Sequence, residues 1–204
     1  MPTIVFSEDW NSALGGDTTS NATRDTTTTY EGAGSCKLTL SAATGYWIKN
    51  STGSPAIVVM QAYVRFSALP TANCELLTVY TAGAGAHGFG YKQADNKFVL
   101  VEGNFLGHTA EGSALATDTW YKLDVKIDGT TNPITVDGKV NDVAFSQVTQ
   151  AVAGTTWGDY RVGTFNAANT YTMFADKLRV SHTSGDYPIT DGASPSYFTL
   201  LGIT

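Results

Sequence analysis

At 204 residues the chain is long for one sandwich but within the range in which all-β proteins stay single-domain, and it can bury roughly 70% of its unfolded surface without disulfides or metals. Only 15% of residues are charged, and no long Glu/Lys/Leu-rich run is present, so little helix is expected. A net charge of −6, a pI near 4.9 and 12 dispersed Lys and Arg argue against nucleic acid or an anionic membrane surface as partner. The longest apolar run, near Ala56–Met60, is far shorter than the roughly 20 residues that span a bilayer, so a soluble protein is expected.

The opening MPTIVFSEDW has no basic region followed by an apolar stretch and a small-residue cleavage site, so no signal peptide is read there. Thr3–Phe6 reads as a short strand and Ser7–Gly16 as a loop carrying Trp10. Asp17–Glu31 is Thr-rich and reads as an exposed strand, because β-branched residues fit a pleated surface. Ser35–Ser41 is a half-buried strand and Tyr46–Lys49 a short aromatic one, after which Gly53-Ser54-Pro55 breaks the chain. Ala56–Phe66 should be a central strand, with Met60, Ala62, Val64 and Phe66 on one face and Gln61, Tyr63 and Arg65 on the other. Cys74–Thr81, Gly88–Lys92, Lys97–Val101 and Asn104–His108 continue a meander. Cys36 and Cys74 fall on strands and are read as buried free thiols. Asn21-Ala22-Thr23 and Asn50-Ser51-Thr52 match a glycosylation pattern but, without a signal peptide, are read as chance.

Thr119–Lys139 is the best-patterned stretch. Tyr121, Leu123, Val125 and Ile127 share one face, and Lys122, Asp124, Lys126 and Asp128 share a solvated one. Asp128-Gly129 and Asp137-Gly138 are read as the reversals of an antiparallel pair. Val143–Val148 and Thr155–Phe165 are further strands. Tyr171–His182 is the last strong one, with Phe174, Asp176, Leu178 and Val180 on one face and Asp176 accepting backbone N–H groups from a neighbouring loop. From Thr183 onward the chain turns Gly- and Pro-rich and ends apolar. Short strands at regular spacing, separated by turn residues, indicate a sandwich or barrel.

The order Ala62-Tyr63-Val64-Arg65-Phe66, Thr119-Trp120-Tyr121, Ile134-Thr135-Val136-Asp137-Gly138-Lys139, Arg161-Val162-Gly163 and Ala175-Asp176-Lys177-Leu178-Arg179-Val180 resembles the concanavalin A-like lectin and glucanase jelly roll, especially laminin-G-like domains, over about residues 35–181. That resemblance implies an all-β, two-sheet antiparallel jelly-roll β-sandwich with one concave sheet and rim loops that often bind glycans. Residues 1–182 would form it, and 183–204 an extended C-terminal tail.

Enzymes of this architecture set paired acids on one concave strand, and the glucanase arrangement Glu-x-Asp-x-x-Glu does not occur here. His87, His108 and His182 are isolated, and Glu8-Asp9 and Asp95-Asn96 fall in loops. No catalytic residue is assigned and no enzyme is expected. Laminin-G-like domains commonly hold calcium, for which Asp95, Asp128, Asn141 and Asp142 offer oxygens, but no dense calcium loop is present and no metal or cofactor is assigned. Sugars stack on aromatic faces, which makes Trp47, Tyr63, Tyr91, Trp157 and Tyr160 glycan-binding candidates, with Arg65 beside Tyr63 the pairing of first interest.

A standalone sandwich with a Thr/Gly/Ala-rich acidic surface and an apolar tail also resembles bacteriophage virion proteins of this fold. That resemblance implies a capsid decoration or minor structural protein, made in the host cytoplasm and carried on the capsid or tail surface. It would be an oligomer whose Tyr197, Phe198, Leu200, Leu201 and Ile203 either close a sheet edge of their own domain or dock on the major capsid protein or another virion protein, and it would also adhere to cell-surface glycans. The alternative is an extracellular glycan-binding module or polysaccharide-processing enzyme of the same superfamily.

Overall fold

The alternation of apolar and polar residues is realised as strands through most of the chain. The structure is a computed structural model that describes residues 1–51, 53–103, 111–152 and 155–190. In chain order the strands are β1 (Ile4–Glu8), β2 (Thr18–Ser20), β3 (Ala22–Asp25), β4 (Ser35–Leu40), β5 (Gly45–Asn50), β6 (Ile57–Ala68), β7 (Cys74–Thr81) and β8 (Gly85–Lys92). They continue with β9 (Lys97–Gly103), β10 (Trp120–Asp128), β11 (Ile134–Val140), β12 (Val143–Ala144), β13 (Val148–Gln150), β14 (Asp159–Thr164) and β15 (Tyr171–Ser181). A 3-10 turn at Ser184–Asp186 follows.

These strands form two antiparallel sheets. The larger runs β12-β11-β10-β6-β15-β4-β3, with β13 added beside β11 and β1 beside the second half of β15. The smaller runs β2-β5-β14-β7-β8-β9. Between them lie Trp10, Trp47, Trp157, Phe66, Phe89, Met60, Leu76 and Leu123, all fully buried, each contributing about 1.5–3 kcal/mol of transfer free energy if apolar burial alone is counted. The expected alternation in β6 holds, since Met60, Ala62, Val64 and Phe66 are core residues. Cys36 and Cys74 are buried free thiols.

Four sequence expectations change. In β15 the parity does not run through: Lys177 adopts φ 51° and the register with β6 slips between Asp176 and Arg179. Met173, Ala175, Leu178 and Val180 therefore face the core, whereas Phe174 and Asp176 lie on the outer face. Asp176 does accept loop N–H groups, from Tyr30 at 2.8 Å and Glu31 at 3.1 Å. Second, Asp137-Gly138 is no reversal. Gly138 pairs with Val125 inside β11, and the true turn is Asn141-Asp142, whose φ values of 48° and 67° suit a two-residue hairpin. Third, Asp124 is not solvated, because Gln61 donates to it at 2.9 Å and residues 183–190 cross this outer face, with Gln61 also donating to the Ile189 carbonyl. Fourth, Thr26–Thr28 forms bends after β3, fastened by Asp25 Oδ1, which accepts from the Thr27 and Thr28 amides at 2.9 and 2.7 Å.

Candidate functional site

The smaller sheet presents an outer face that one strand leaves almost bare. In β8 the residues alternate between bulky and small: His87, Phe89 and Tyr91 are buried, and Ala86, Gly88 and Gly90 take the opposite parity. On that parity Ala86 lies opposite Tyr80, Gly88 opposite Thr78 and Gly90 opposite Glu75 on β7. Gly88 is required there, since its φ is 144° and an added Cβ would sit 2.2 Å from the Leu77 carbonyl oxygen. At its first end β8 contributes only Gly85 and Ala86, which with Gly103 and Gly163 supply the small residues of a trough bordered by larger side chains of neighbouring strands.

One wall is a continuous stack across three strands. Arg161 on β14 lies opposite Thr78, with its Cζ 3.6 Å from the Tyr80 ring centroid and 4.5 Å from that of Phe165. Phe165 in turn stacks on Tyr46 of β5, centroids 4.2 Å apart and planes within 13°. Asp159 holds the guanidinium fork-to-fork, accepting from Nε at 2.7 Å and Nη2 at 3.1 Å. Glu75 accepts the Thr164 hydroxyl at 2.6 Å, and that hydroxyl receives the Asn166 amide at 3.0 Å. Thr78 is fully buried, and its hydroxyl has no hydrogen-bond partner. Together Glu75, Thr78, Tyr80, Arg161, Phe165 and the small residues around Ala86 line a groove of about 350 Å³. Phe165 is 44% exposed, which leaves part of its ring available to a ligand. The arrangement offers a flat aromatic surface beside hydrogen-bonding groups at fixed spacing.

None of the six residues named from sequence as glycan-binding lies in this groove. Trp47, Tyr91, Trp157 and Tyr160, expected at an aromatic rim, are core residues whose polar atoms are satisfied internally. Trp47 Nε1 donates to Leu14 O at 2.9 Å, Trp157 Nε1 to Ala56 O at 3.1 Å and the Tyr91 hydroxyl to Asn96 at 2.8 Å. The Tyr160 hydroxyl bonds His182 Nε2 at 2.6 Å, and burial raises its pKa to about 12. Tyr63 and Arg65 lie on the outer face of the larger sheet, where Tyr63 stacks on Tyr30 at 3.7 Å and Arg65 pairs with Asp118 at 2.6 Å. The signal that marks the groove was present in the sequence as the small residues at positions 85 and 86. The register that sets Arg161 against Thr78 was not.

The remaining candidates do not converge. Asp95 pairs with Lys92, Asp128 accepts from Thr130, and Asn141 and Asp142 both engage Lys122. His87 is buried against Trp157 with Nε2 on Gln150 at 2.8 Å, and burial lowers its pKa. His108 and the docking residues Tyr197, Phe198, Leu200, Leu201 and Ile203 lie outside the described residues, as does the strand expected at Asn104–His108.

Two antiparallel sheets packed face to face define a recurrent class of fold, the β-sandwich, and solved structures share it. No protein-family profile matches the sequence, and no curated protein matches it. Among solved structures it is similar to a cellulose-induced protein, Cip1, at 14% identity and TM-score 0.62, covering 87% of this chain and 97% of that one. It is also similar to alginate lyase Aly36B, at 13% identity and TM-score 0.57 over 86% of this chain and 96% of the lyase. Trypanosoma rangeli sialidase matches at 12% identity and TM-score 0.57, over 80% of this chain but only 26% of the sialidase. The likeness is one of fold, and it supports the two-sheet jelly roll. The expectation of no enzyme is corrected, because a lyase and a sialidase are among the proteins built on this fold. Absence of Glu-x-Asp-x-x-Glu excludes one arrangement only, since catalytic groups can converge from separate strands with no contiguous signature.

Proposed function

We propose that this chain recognises a carbohydrate chain in the groove over β8, as a glycan-binding or glycan-processing protein. The observation that carries the proposal is the Tyr80–Arg161–Phe165–Tyr46 stack standing beside the small residues Gly85, Ala86, Gly103 and Gly163. A pyranose ring presents an apolar face to an aromatic ring and hydroxyls around its rim, and Phe165 and Glu75 offer the complementary groups. The fold's neighbours, among them a protein named as cellulose-induced, an alginate lyase and a sialidase, favour this alternative over virion decoration.

The test is a panel of oligosaccharides assayed by calorimetry for binding and by chromatography for cleavage, with wild type, Phe165→Ala and Tyr80→Ala. Both rings are partly exposed, so the variants should fold, and each should weaken binding about tenfold, which corresponds to about 1.4 kcal/mol. Binding or turnover unchanged in both variants would remove the groove from the function.

A further inference from the structure

The charges of the groove go further than its shape. Arg161 is the groove's cation, but Asp159 engages it through both nitrogens of a fork, so its charge is already matched. Glu75 has the Thr164 hydroxyl as its partner and no ion pair among the described residues. Lys92 and Lys97 sit two positions beyond Gly90 and Val99, outside the lining, and Lys92 is paired with Asp95 at 3.0 Å. The unmatched charge in the lining is therefore negative, on a protein whose net charge is already −6.

Resting on the glycan reading above, we infer that the groove selects neutral saccharides and rejects uronate- and sialate-containing ones, with Glu75 as the discriminating residue. A carboxylate accepts hydrogen bonds from sugar hydroxyls and repels a sugar carboxylate at the same site, so one group supplies both the attraction and the exclusion. This choice differs from that of the neighbours named for alginate and sialic acid. A shared fold permits such a difference because specificity lies in the side chains on the sheet.

The experiment measures affinity at low ionic strength, where screening does not hide repulsion. The probes are cello-, xylo- and laminari-oligosaccharides on one side and alginate and galacturonate oligosaccharides and sialyllactose on the other, with wild type, Glu75→Gln and Phe165→Ala. The expected result is a neutral ligand bound at least about tenfold more tightly than any acidic one, with the gap narrowing severalfold in Glu75→Gln, which keeps the Thr164 hydrogen bond. A gap unchanged in Glu75→Gln would overturn the role of Glu75. Acidic ligands bound as tightly as neutral ones, with loss in Phe165→Ala, would overturn the neutral class while leaving the groove standing. Absence of any Phe165-dependent binding would overturn both.

Discussion

Asp124 sits under residues 183–190 with no exposed surface, receiving one hydrogen bond from Gln61 and lying 3.5 Å from the Lys122 ammonium. Burial raises its pKa, and the Gln61 amide and Lys122 offset this only in part. A carboxyl whose folded pKa lies above the unfolded one binds its proton more tightly when folded. Its contribution to stability is therefore full below the unfolded value of 3.8 and is lost as pH rises through the folded value. Asp124→Asn lacks this loss, so its urea midpoint should gain on that of wild type as pH rises from below 3.8 toward neutrality. A difference between the two that is constant with pH would refute the assignment. Alternation alone could not reveal this residue's state: its outward parity was legible from sequence, but the segment that covers it lies 59 to 66 positions further along the chain.

At the scale of an element, β11 shows how one sheet constrains the other. Gly138 was read as turn punctuation because Asp-Gly favours reversals. It lies instead in mid-strand, where an added Cβ would come within 2.4 Å of Leu100 Cδ2 and 2.8 Å of Phe89 Cζ. Gly138→Ala should cost about 1–3 kcal/mol by overpacking, read from chemical denaturation, and a neutral outcome would show that Leu100 and Phe89 yield freely. The bulge at Lys177 has the same lesson. A one-residue slip in β15 moved Phe174 and Asp176 to the outer face, and nothing in the local pattern marks where a strand will bulge. The start of β8 is the favourable case, because the small residues Gly85 and Ala86 are a local feature that folding leaves unchanged.

For the whole molecule, closure of one sheet on the other puts both thiols out of reach. Burial pushes the Cys36 and Cys74 thiols well up, so neither supplies thiolate in the native state. An aromatic disulfide reagent at pH near 8 should label neither cysteine until denaturant is added, when both should react; native labelling at a rate independent of denaturant would contradict the core described above. The sequence by itself determined the class of the fold, the position of most strands, the buried thiols and the loop-bound Asp176, because period-two alternation and turn residues act over a few neighbouring positions. It could not determine which aromatics stay at the surface. Trp47, Tyr91, Trp157 and Tyr160 look identical to exposed stacking residues until the second sheet covers them, and Tyr80, Arg161, Phe165 and Tyr46 become one surface only when β7, β14 and β5 lie side by side. The tertiary structure decided the site because cross-strand register, set by contacts between residues more than 80 positions apart, is what brings Thr78 opposite Arg161.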